Sequence, residues 1–174
     1  MRRFWIHHVL PVAFAAVPVL AAALVFFAIP ADARGHYLDR VRTAPIDWII
    51  IGVGYTLFTV QVLLAWRALR WQQTDFDVKA DRWIGHLCQA AEWFPLLGLI
   101  GTVAAILLTF NAIKPGITPQ DVIHTYAPAI TATGGGLYMA FINILPQWVV
   151  SVGRDLIRAL AGIAPPPEPP GGKL

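Results

Sequence analysis

Two runs of small and hydroxyl-bearing residues hold the side chains whose types and spacing could do chemistry. Gly98, Thr102, Ala105 and Thr109 recur at steps of four, three and four, and Ala129, Thr133, Gly136, Ala140, Asn143 and Gln147 repeat those steps. That spacing keeps each set on one side of an α-helix. Hydroxyls and amides both donate and accept hydrogen bonds, so two such faces could enclose water, an ion or another helix. The same residues also let helices approach closely and bond across the contact. Both readings are open at this level, and they are compatible.

The adjacent Gly134, Gly135 and Gly136 sharpen the question, because a glycine inside a helix costs roughly 1 kcal/mol relative to alanine. Pro128 and Pro146 bracket them and remove two more helical hydrogen bonds. A segment built this way is expected to flex or to let something approach its backbone.

Other chemistries are poorly represented. His7, His8, His36, His86 and His124 fall outside or at the edges of the apolar runs, which disfavours haem ligation between facing helices. His86 and Cys88 are only two candidate ligands, too few for a zinc site. No nucleophile elbow, phosphate-cradling loop or HExxH string is present, so no catalytic residue, metal or cofactor is assigned and an enzyme is not expected. The middles of the apolar runs hold no ionisable residue; Asp47 and Glu92 precede the second and third runs and are expected to be hydrated. An ion crossing here would have to use hydroxyls, amides and water, or a carboxylate from a partner.

The elements that must position these residues follow from composition. Of 174 residues 57% are apolar and 13% charged, against about 25% charged in an ordinary soluble domain. One water-soluble core cannot absorb that excess, since a domain of this size still exposes roughly a third of its unfolded surface. The formal charge of +3 does not indicate nucleic acid, because the basic residues cap apolar runs and form no patch. Four stretches, 9–29, 48–66, 93–113 and 126–150, are long enough to cross the roughly 30 Å hydrocarbon layer. Trp48, Trp66, Trp93 and Trp148 mark their ends, as indoles do at the headgroup level. Nine of thirteen basic residues fall on the side of the two termini and the second connection; Arg34, Arg40, Arg42 and Lys114 fall on the other. Both termini are therefore expected to be cytoplasmic.

The expected fold is an all-α, polytopic four-helix membrane domain over 1–164, with a Pro/Gly-rich tail at 165–174. The first run, with Arg2, Arg3 and the triplet Ala31, Asp32, Ala33, imitates a secretory signal, but its length and Pro30 favour a retained helix. Residues 71–91 are expected to form a short interfacial or cytoplasmic helix. The tail reads PPPEPPGG, an extended linker that cannot pack a core.

The strings FPLLGLIGTVAAI, from Phe94 to Ile106, and APAITATGGGLYMAF, from Ala127 to Phe141, resemble the MotA/TolQ/ExbB family of channel-forming subunits in bacterial stators and energy transducers. Gly98, Gly101, Thr102 and Val103 fit its first motif; Thr133, Gly136 and Leu137 fit the second. The resemblance implies a pentamer in the bacterial inner membrane around a MotB/TolR/ExbD-like single-span partner, whose aspartate carries the ion past Thr102 and Thr133. It implies proton flow, with sodium as the second choice, coupled to mechanical work; one charge crossing 100 mV releases about 2.3 kcal/mol. Thr102, Thr133, Thr109 and Asn143 are then the expected channel-lining residues. Gly98, Gly101, Ala105, Ala129, Gly134, Gly135, Gly136 and Ala140 are expected to serve helix packing or partner contact. Two departures stand out: relatives carry a glutamate where Pro128 stands, and their large cytoplasmic region is reduced to about 25 residues between the second and third spans. The competing expectation is a non-conducting scaffold whose stripes serve packing alone.

Overall fold

A computed structural model describes residues 9–41, 45–72, 75–112 and 118–161. Arg2 and Arg3, Lys114 and the tail 165–174 lie outside the described residues. The chain runs through α1 (Leu10–Ala28), α2 (Ala31–Val41), α3 (Pro45–Leu69), β1 (Trp71–Gln72), β2 (Asp75–Phe76), α4 (Val78–Ala91), α5 (Trp93–Ala112) and α6 (Pro119–Ala161). β1 and β2 form a two-residue antiparallel ladder pairing Trp71 with Phe76 and Gln72 with Asp75. Among the described residues everything else regular is helix, and four helical stretches are long and apolar enough to span a membrane. The fold is the expected all-α, multi-pass arrangement.

Local chemistry sets the helix starts. Pro11 and Pro45 sit in the first turns of α1 and α3, where a missing N–H leaves no intrahelical bond unmade. Asp77 caps α4 by accepting from the N–H groups of Lys79 and Ala80, each at 3.1 Å. Thr118 and Asp121 form a reciprocal cap on α6: the Thr118 N–H donates to Asp121 Oδ2 at 3.1 Å and the Asp121 N–H donates to Thr118 Oγ1 at 3.3 Å.

Three elements differ from the hydropathy pattern. α6 has 43 residues, a length of roughly 65 Å at 1.5 Å per residue, and so projects well beyond a bilayer core. It passes through Pro128, the three glycines and Pro146 as one helix, because its neighbours pack along it rather than leaving it to bend. α2 is a polar helix that no apolar run announces. Among the described residues of 71–91, Val78–Ala91 is the helical part; Ala80, Ile84 and Ala91 form its buried face.

α6 is the central element. α5 lies along one side of it, α3 along another, and α1 and α4 complete the bundle. At one end Arg154 of α6 is the clasp: its Nε donates to the Ala68 carbonyl at 3.2 Å and an Nη to the Asp77 carbonyl at 3.1 Å, while the other Nη pairs with Asp81 at 2.6 Å. The guanidinium also lies over the Phe76 ring. This clasp joins α3, the ladder, α4 and α6 around Leu69, Ile84, Val150 and Ile157. Elsewhere α2 packs against α3 and α6, with Tyr37 against Gly135. Outward, Leu24, Phe27, Leu108 and Ile130 are 67–70% exposed. Apolar surface on this scale needs lipid or other protein chains around it.

Candidate functional site at the crossing of α5 and α6

The glycines decide how close the two helices come. A Cβ at Gly98 would stand 2.8 Å from the Ala132 carbonyl oxygen and 3.2 Å from Thr133 Cα. One at Gly101 would stand 2.7 Å from Ala132 Cβ, and one at Gly136 would overlap the Phe94 carbonyl oxygen. At Gly98 and Gly136 backbone therefore meets backbone, and only glycine fits. The three consecutive glycines serve three directions, since successive helical residues point about 100° apart. Gly136 faces α5; Gly135 faces Tyr37 of α2, whose hydroxyl would lie 2.6 Å from an added Cβ; Gly134 faces open space.

This approach brings Thr102 and Thr133 into direct hydrogen-bond contact. Thr102 Oγ1 is also 3.0 Å from the Gly98 carbonyl and 3.0 Å from the Ala129 carbonyl, and Thr133 Oγ1 is 3.3 Å from that same Ala129 oxygen. Four oxygens thus cluster inside an apolar helix pair, and both threonines remain half-buried. Such a cluster can accept a hydrogen bond from a protonated carboxyl, replace part of a cation's hydration, or simply hold two helices together. α5 has no ionisable side chain, so an acid at this level must come from elsewhere.

The other expected site residues go to different places. Ala105, Ala129 and Ala140 are buried in the bundle. Thr109, 4% exposed, donates to the Ala105 carbonyl one turn back at 2.9 Å. Asn143 is fully buried away from the threonine pair: its amide donates to the Gly54 carbonyl at 3.2 Å and accepts from Gln61 Nε2 at 3.3 Å. It joins α3 to α6 rather than the α5–α6 cluster. Gln147 is exposed and lines a separate cavity of about 470 Å³ with Arg82, His86, Cys88 and Glu92. Among the described residues no three candidate metal ligands come together.

Sequence reasoning missed two polar features. Gln61, a lone amide in the apolar α3, is fully buried and also donates to the Leu87 carbonyl at 3.3 Å; its isolation in that run was the available signal. Asp47 is not hydrated as its place before the second apolar run suggested. It lies in the first turn of α3, 1% exposed, with Thr131 Oγ1 donating to its Oδ2 at 3.1 Å. The cover comes from α2 and α6, which the local sequence does not announce.

The profile of the MotA/TolQ/ExbB proton channel family matches residues 65–152, from the end of α3 through α4, α5 and most of α6. The chain belongs to this family. The match contains both halves of the threonine cluster and the whole glycine crossing. No curated protein and no solved structure matches the chain. Family members are membrane proton channels of energy-transducing complexes and work with a single-span partner in oligomers. This chain is accordingly a multi-pass membrane protein of that channel family.

Proposed function

We propose that the chain is an inner-membrane channel subunit that couples proton flow to mechanical work, with a single-span partner supplying the ion-binding aspartate. The observation that carries this reading is the half-buried Thr102–Thr133 pair, set within the family-matched segment on a helix pair where α5 has no acid of its own. Both termini are assigned to the cytoplasm and the assembly to a pentamer, in keeping with the distribution of lysine and arginine and with the family. The face of α6 bearing Ile130, Gly134, Leu137, Phe141, Ile144 and Trp148 supports an oligomer. Its side chains are exposed, and Gly134 has nothing within 4 Å of a Cβ position. A second chain could approach there as closely as α5 approaches Gly136.

One observation favours the scaffold reading: the threonine hydroxyls satisfy each other and two carbonyls within the chain, which packing alone explains. The mass of the intact complex, extracted with and without a single-span protein bearing an N-terminal membrane aspartate, separates the two. The channel reading expects several copies of this chain plus partner chains. A single copy, or an oligomer that never retains the partner, favours the scaffold.

A further inference from the structure

Asp47 is the one carboxylate that the described bundle encloses at 1% exposure. Its two oxygens have different surroundings. Oδ2 accepts from Thr131 at 3.1 Å, whereas Oδ1 is buried and has no hydrogen-bond partner. Leaving a buried acceptor unsatisfied costs about 1–3 kcal/mol, and more for a charged group. A proton on Oδ1 would remove the charge. The first turn of α3 and the Thr131 hydroxyl favour the ionised form instead.

The residue that donates to this group also lines a cavity. A cavity of about 510 Å³ beneath α2 is lined by Arg34, His36, Tyr37, Tyr55, Thr131 and Tyr138 among apolar side chains. That is room for more than one water, each occupying about 30 Å³ in the liquid. Thr131 both lines the cavity and donates to Asp47, so this residue joins the two. Tyr37 is electrostatically coupled to the carboxylate: burial first, and the Asp47 charge second, push its phenol up to about 12. It therefore stays a neutral O–H donor at physiological pH. The same helix also carries Asp32, Arg34, His36, Asp39 and Arg40, of which Arg34 and His36 line the cavity, and Tyr55 is on Asp47's own helix. α1 and α5 carry none, and the α6 residues Tyr126 and Tyr138 are each more than one helical turn from Thr131.

We propose that Asp47 is a proton-exchanging residue of this subunit, reached through the cavity beneath α2 past the Thr131 hydroxyl. Uptake moves one proton from a hydronium ion to Oδ1, leaving water and a neutral carboxyl; release reverses it. This rests on the channel reading for its use, but not for its test. Infrared spectra of the intact membrane-embedded complex are recorded across a pH titration for the unaltered chain, Asp47→Asn and Thr131→Val. Asn keeps an acceptor for Thr131 and cannot titrate; Val keeps the shape of Thr131 without its hydroxyl. The expected result is a titrating carboxyl band that vanishes in Asp47→Asn and shifts in Thr131→Val. Spectra of Asp47→Asn that match the unaltered chain overturn the proposal, as does a band that titrates identically with and without the Thr131 hydroxyl. Because the band is read without ion flux, a silent channel would count against the proposed function and leave this result standing.

Discussion

Replacing Thr102 and Thr133 together by alanine lowers partner-dependent proton flux by about a hundredfold or more, the scale set by a positioned proton-handling group, while the subunit still assembles. The two effects separate by magnitude. Hydrogen bonds between membrane helices average about 0.6 kcal/mol each, so losing this pair costs only about 1 kcal/mol of packing. The glycines that hold the crossing are untouched, and the Gly98 and Ala129 carbonyls keep their place in their own helices. Thr→Ser at both positions retains the hydroxyls and is expected to restore most of the flux. The check is proton uptake into vesicles containing the purified complex, with oligomer mass measured in parallel. Unchanged flux in the double alanine variant would remove the threonines from the mechanism and assign the cluster to packing.

Gly136→Val has the opposite profile. Its first added carbon overlaps the Phe94 carbonyl and stands 3.1 Å from Gly98 Cα, and neither is the end of a flexible side chain. α5 and α6 must separate, at a cost of about 1–3 kcal/mol for overpacking, and the threonine pair parts with them. Loss of both thermal stability and flux is expected, measured by the unfolding midpoint in detergent and by vesicle uptake. Gly134→Val supplies the contrast within the same triplet. Nothing lies near it in one chain, so the isolated subunit keeps its stability and only the oligomer weakens. Equal damage from both substitutions would contradict the division of labour among the three glycines.

These contrasts also mark what the sequence can convey. The stripes that bear Thr102 and Thr133 were legible from helical spacing, and the pairing of these two threonines followed from the family resemblance of the strings that hold them. The spans were legible because lipid demands long apolar runs, with indoles at their ends. The separate directions of Gly134, Gly135 and Gly136 were not, since a triplet reads only as a weakened helix until its three neighbours are in place. The length of α6 was not legible: the apolar run covers 126–150, and hydropathy stops counting once a helix leaves the bilayer. Asn143 fitted the stripe by spacing, yet the partner that claims it, Gln61, lies 82 residues away. Burial of Asp47 depends on α2 folding across it, and a polar helix of 11 residues leaves no trace in a span search.

The central claim is that hydroxyl-bearing faces of α5 and α6 serve an acid contributed by another chain. Its most direct test is proton flux into vesicles holding this subunit with its single-span partner, compared with the same complex in which the partner's membrane aspartate is changed to asparagine. The account predicts flux with the aspartate and background with the asparagine, at equal assembly. Equal flux in the two preparations, or none in either, would contradict it.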